Sequence, residues 1–127
     1  MSKVFLDTSY AVALSARTDQ HHESAVKLSK GLRESSTNIV TTRAVLLEIG
    51  NALAKLSHRK AAAKLLDALE DDPMVEIVAA SEDLYLRALK LYSDRDDKEW
   101  GLIDCTSFIV MNDRGLIDAL TADKHES

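Results

Sequence analysis

Asp7 follows directly on the short run Lys3-Val4-Phe5-Leu6, Glu48 sits among Leu46, Leu47 and Ile49, and Asp104 is bracketed by Ile103 and Cys105. A fourth acid, Asp123, comes just after the stretch Ile117 to Leu120. Carboxylate oxygens are the ligands preferred by hard divalent cations, Mg²⁺ and Mn²⁺ among them. Acids gathered at one place repel each other until such an ion neutralises them. A cation held there can acidify a water and stabilise charge on a leaving oxygen, which is the chemistry of phosphodiester hydrolysis. Each acid also has an ordinary alternative. Asp7 can be a helix cap, Glu48 a surface residue of an amphipathic helix, and Asp123 a turn residue. Asp104 is the hardest to explain that way, because both of its neighbours are apolar.

Other chemistries find less support. There is no glycine loop of the GxxxxGK or GxGxxG kind to cradle a phosphate. His21 and His22 are adjacent, so on a helix they point in different directions and read as surface residues. Cys105 reads as a small buried hydrophobe, and Ser9 has no evident histidine partner for a nucleophilic triad. Asp71-Asp72, Glu82-Asp83 and the run from Asp94 to Glu99 read as solvated faces and helix ends. Asp97 stands close enough to the Asp104 segment to be an outer-shell group. Lys55 and Asn51 are spaced to share a helical face with Glu48, where either could steady a phosphate, although an ordinary surface lysine is the simpler reading of Lys55.

The elements that must position these acids can be read from periodicity. Lys3 to Leu6 reads as a buried parallel strand, followed by a turn at Thr8-Ser9 and a short helix over Tyr10 to Leu14. His21 to Leu32 has helical spacing, with Gly31 and Ser35-Ser36 marking its end. Asn38 to Thr41 reads as a second strand and Thr42 as the N-cap of the next helix. Apolar residues at 45, 46, 49, 53 and 56 predict a helix over Ala44 to Leu56, and a second helix covers Arg59 to Leu69 before the stop at Asp71-Asp72-Pro73. Val75 to Val78 is the third strand. Ser81 opens a helix running to Tyr92, and Ser93 to Glu99 reads as a loop. Gly101 to Arg114 is helical, with Gly115 in the position that favours a left-handed cap, and Ile117 to Leu120 is the fourth strand. Strands alternating with helices predict an α/β fold with a parallel sheet covered on both faces. In such sheets ligands bind beyond the carboxyl ends of the strands, where Asp7 and Asp123 both fall.

Composition is compatible with this. The chain has 127 residues, 46% hydrophobic and 29% charged, enough for one domain with its own core. No run approaches the ~18 apolar residues of a membrane span, and the N-terminus does not read as a signal peptide. The single cysteine excludes an intrachain disulfide framework and a thiolate zinc cluster. These features predict a cytoplasmic protein. A formal net charge of -5 argues against nucleic-acid binding by a broad basic surface, but ions bound among the acids would offset much of it locally.

Four segments taken together resemble the PIN domain, in particular the VapC-like toxins of bacterial and archaeal toxin–antitoxin pairs. They are Val4-Phe5-Leu6-Asp7-Thr8-Ser9, Glu48-Ile49-Gly50-Asn51-Ala52-Leu53, Trp100 to Phe108, and Ala119-Leu120-Thr121-Ala122-Asp123-Lys124-His125. They occur in the family's order over nearly the whole chain. The resemblance implies an acidic site of Asp7, Glu48, Asp104 and Asp123 binding Mg²⁺ or Mn²⁺, with Thr8 or Ser9 supporting the first carboxylate. It implies a three-layer α/β/α sandwich with strand order 3-2-1-4-5, in which strands one and four are neighbours. It further implies a ribonuclease acting on RNA, a cognate antitoxin protein and a homodimer. One departure is that the family continues into a last edge strand, whereas this sequence stops at Ser127. The expectation is therefore a single PIN-like domain over 1–127, shortened at its C-terminus, with order 3-2-1-4 and the fifth strand absent. The rival reading is a PIN-like scaffold that binds a partner without turnover. A phosphatase of the haloacid-dehalogenase type is less well matched, since it wants a second Asp where this chain has Ser9.

Overall fold

The computed structural model describes residues 3–15, 22–116 and 119–120. Strand β1 (Lys3–Leu6) is followed by helices α1 (Thr8–Ser15) and α2 (His22–Glu34), then by β2 (Asn38–Thr42). Helices α3 (Arg43–Ala52) and α4 (Leu56–Asp71) lead to β3 (Val75–Val78), and α5 (Glu82–Asp94) and α6 (Leu102–Asp113) precede β4 (Ala119–Leu120). The sheet order is β3-β2-β1-β4 with every pairing parallel. Helices cover both faces. This is the α/β architecture expected from the alternation of elements and the strand order implied by the resemblance.

The central strand is β1. Phe5 pairs with Val40 on one side and Ala119 on the other, and Leu6 is level with Leu120. A strand flanked on both sides and covered on both faces is apolar where it is covered: Phe5 and Leu6 are both buried, while Lys3 at the start of β1 is exposed. They join Val40, Val45, Ile49, Leu53 and Tyr10 in one core cluster. Thr41 and Thr42, at the carboxyl end of β2, are fully buried hydroxyl residues and both are satisfied. Thr41 Oγ1 donates to the Leu6 carbonyl at 3.0 Å, and Thr42 Oγ1 accepts from the Val45 N–H at 3.0 Å as the N-cap of α3. The first of these bonds pins the end of β1 to β2 immediately before Asp7.

Several boundaries differ from the sequence expectation, each for a local reason. Helix α1 starts at Thr8 because the Ala11 N–H reaches the Asp7 carbonyl. Gly31 lies inside α2, and the left-handed residue after that helix is Ser36, at φ 55°. Helix α3 stops at Ala52, where Leu53 closes the last turn on Ile49, and the Lys55 carbonyl already accepts from His58 and Arg59 as the start of α4. Lys55 is therefore not on the helix that carries Glu48, which removes the shared face expected for the two. Helix α5 runs through the first part of the expected loop to Asp94. Gly115, at φ 65°, follows α6 in the left-handed cap position expected for it.

Candidate active site

The end of β1 delivers Asp7 to the carboxyl rim of the sheet, half-buried, where the hydroxyl of Ser9 donates to its Oδ2 at 3.1 Å. Thr8 turns the other way. Its Oγ1 donates to Oε1 of Glu48, a half-buried carboxylate on α3. The sequence left open which hydroxyl would support the first carboxylate; Ser9 does so, and Thr8 serves Glu48. This contact spans 40 residues of sequence and joins the start of α1 to α3, so the Asp7 and Glu48 elements meet at one rim.

Asp104 is the third residue of α6, an exposed position at which its Oδ2 accepts the Gly101 N–H at 2.9 Å. This is half of a capping box, because Gly101 has no side chain to return the bond. Helix α6 packs on α3 and β2, the elements that carry Glu48 and the buried threonines. Asp123 lies outside the described residues, as does His21. Among the described residues no three side chains of His, Cys, Asp or Glu lie close enough together to hold an ion.

What the three described acids share is the nature of their partners. Asp7 is held by a serine hydroxyl, Glu48 by a threonine hydroxyl and Asp104 by a backbone N–H. None of the three is in an ion pair among the described residues. Neutral donors orient a carboxylate while leaving its charge uncompensated. An all-oxygen donor set with uncompensated negative charge suits a hard divalent cation, so the residues fit Mg²⁺ or Mn²⁺ in kind.

Three further residues sharpen the picture. Cys105 is fully buried, and burial first, with the Asp104 carboxylate second, pushes its thiol up, away from the reactive thiolate. His22 Nδ1 lies 2.8 Å from the Ala13 carbonyl and ties α2 to α1, a packing role. Asp97, considered for an outer-shell role, is instead exposed and paired with Arg95 at 3.0 and 3.1 Å. That hydrogen bond holds its carboxyl below the usual range.

Sequence reasoning passed over Ser107. It is 5% exposed, one helical turn beyond Asp104, and its Oγ has no hydrogen-bond partner among the described residues. A helical serine normally bonds back to the carbonyl three or four residues earlier. The Ile103 carbonyl already accepts the Thr106 hydroxyl at 2.6 Å. A hydroxyl in the apolar-looking run Cys105 to Val110 was the available signal.

Comparison with known proteins gives a consistent result. The family model described as "PIN domain" matches residues 4–125. The 23S rRNA-specific endonuclease VapC20 of Mycobacterium tuberculosis, from strains CDC 1551 / Oshkosh and ATCC 25618 / H37Rv, is 31% identical over 121 residues, which cover 94% of this chain and 88% of the relative. A crystal structure of Mycobacterium tuberculosis VapC20, described as a sarcin-ricin loop cleaving toxin, superposes with a TM-score of 0.80 at 28% identity. It covers 93% of this chain and 88% of that one.

Proposed function

This chain belongs to the PIN-domain family, and from that premise we propose that it is a divalent-metal-dependent endoribonuclease, the toxin of a toxin–antitoxin pair. The observation that carries the reading is the bond from Thr8 to Glu48, which ties the Asp7 turn to the Glu48 helix at the carboxyl rim of the sheet. Asp7 and Glu48, joined through Thr8, would hold the cation, and Asp104 and Asp123 are proposed as further ligands from the family pattern. A bound Mg²⁺ or Mn²⁺ supplies an acidified water and neutralises charge that builds on the phosphate oxygens. The protein's own groups set the geometry. Ser9 orients Asp7, Thr8 orients Glu48, and the Gly101 N–H holds Asp104 against the first turn of α6, where backbone N–H groups favour an anion.

RNA as substrate and an antitoxin protein as partner follow from the likeness to VapC20. No described helix is long and apolar enough to cross a membrane. A cytoplasmic location and a homodimer are consistent with the same likeness and are proposed with it. The test is cleavage of a structured ribosomal RNA fragment by purified protein with Mn²⁺, compared with Asp7→Asn. The parent is expected to cut and the variant is not. Equal cleavage by the two proteins, with the metal present, rejects the site.

A further inference from the structure

Helices α5 and α6 enclose an open cavity of about 580 Å³ whose lining includes Lys90, Asp94, Arg95, Trp100, Phe108 and Asn112. The Trp100 and Phe108 rings meet edge to face, with centroids 4.7 Å apart at 67°. The Arg95 guanidinium lies 5.2 Å and the Lys98 ammonium 5.8 Å from the Trp100 ring centre. Phe108 remains 39% exposed although it touches another aromatic ring.

The cavity lies beside Asp104. Phe108 is four residues after Asp104 on α6, so the two stand one above the other on the same exposed helical face. Trp100 immediately precedes Gly101, whose N–H holds the Asp104 carboxylate. Aromatic rings with cations beside them are the usual platform for an unstacked base and its phosphate. The cations here have acidic partners, Lys90 with Asp94 and Arg95 with Asp97. Exposed pairs of that kind contribute little and exchange partners readily, so a phosphate can take the place of either acid.

We propose that the Trp100–Phe108 cavity is a subsite for one unstacked nucleobase of the RNA strand, with its phosphate beside Arg95 and Lys98. It rests on the ribonuclease reading and names the residues that would seat a nucleotide next to Asp104. Asp94, with a carboxylate, and Asn112, with an amide, are among the residues lining the cavity. Those groups suit a base with adjacent N–H donors, which is guanine rather than uracil.

Trp100 is the only tryptophan in the sequence, so its emission reports on this cavity alone. Full-length protein in EDTA is titrated with GMP, with UMP and with inorganic phosphate. GMP is expected to quench Trp100 saturably and at lower concentration than UMP, while phosphate leaves the emission unchanged. Phe108→Leu, which keeps an apolar side chain but removes the ring, is expected to weaken GMP at least about fivefold, and Phe108→Tyr to restore it. Absence of a saturable GMP response overturns the proposal, as does an equal response to phosphate. A change in emission with protein concentration alone also overturns it, since a second copy of the chain would then cover the face. Because every arm runs without metal, failure here is separable from failure of the nuclease reading, which the Asp7→Asn cleavage assay decides on its own.

Discussion

The rim at the end of β1 and the face between α5 and α6 treat their acids in opposite ways. On α5–α6, Asp113 takes a bidentate grip from Arg87 at 2.8 and 2.9 Å, Asp94 takes Lys90 at 3.1 Å, and Asp97 takes Arg95. At the rim, among the described residues, Asp7, Glu48 and Asp104 are held only by hydroxyls and a backbone N–H. Both regions are rich in carboxylates, and both are half open to water. An acid with a guanidinium partner has spent its charge within the protein. An acid held by a neutral donor has been oriented without being neutralised, and that is the condition in which it attracts an external cation. Partner type therefore separates a structural carboxylate from a candidate ligand more sharply than burial does.

The largest effect that would break this contrast is at the rim. Asp104→Asn is expected to lower cleavage by about a thousandfold, corresponding to several kcal/mol of lost charge stabilisation, with the thermal midpoint nearly unchanged. A loss of folding instead of activity, seen by circular dichroism, would make Asp104 an ordinary cap. Next in size is the response to metal. Mn²⁺ at about a hundredfold its dissociation constant is expected to stabilise the parent by about 2.7 kcal/mol, an increment that shrinks markedly in Asp7→Asn; equal increments in thermal melts would place the ion elsewhere.

Smaller effects sharpen the comparison. Thr8→Val removes the donor that orients Glu48 and is expected to weaken divalent-ion affinity by about tenfold to a hundredfold, measured by calorimetry. Ser107→Ala removes a buried hydroxyl that has no partner among the described residues, so metal-free protein is expected to be at least as stable as the parent, whereas losing a satisfied hydroxyl would cost about 1 kcal/mol. The smallest change belongs to the paired acids. Arg114, Arg95 and Arg87 hold Glu76, Asp97 and Asp113 below the usual carboxylate range through their hydrogen bonds. A lowered folded value means that their contribution is present above the ordinary carboxylate range and is lost as pH falls through the folded one. Glu76→Gln should change stability by no more than about 1 kcal/mol, because the pair is exposed, and should flatten the acid limb of a pH–stability curve slightly.

Much of the fold was legible because its signals are local. The apolar run at Val4 to Leu6 and the valine- and isoleucine-rich Val75 to Val78 read as strands, Thr42 caps α3 as its residue type suggests, and Gly115 supplies a left-handed cap that needs no Cβ. The break between α3 and α4 was misplaced because the apolar period continues from Leu53 to Leu56 across it. Periodicity reports which faces are buried, and it does not reveal that Leu53 and Lys55 close one helix and open the next. The exposure of Tyr85, Leu89 and Tyr92 on α5 and of Phe108 on α6 was equally out of reach, because Leu84 and Ala88 on α5 are buried and nothing local distinguishes them.

The sequence by itself determined the element types, the parallel class of the sheet and the identity of the acids, since strand and helix periods and residue chemistry are properties of neighbouring residues. Asp7 is a good example: its position after an apolar run was evident, and its alternative as a simple cap could not be dismissed. Only the tertiary structure decided what each acid touches. Thr8 bonds Glu48 across 40 residues of sequence, Ser9 keeps Asp7, and Asp97 is claimed by Arg95. The physical reason is that carboxylate chemistry depends on the nearest donor, and on this fold that donor is chosen by strand register and helix packing.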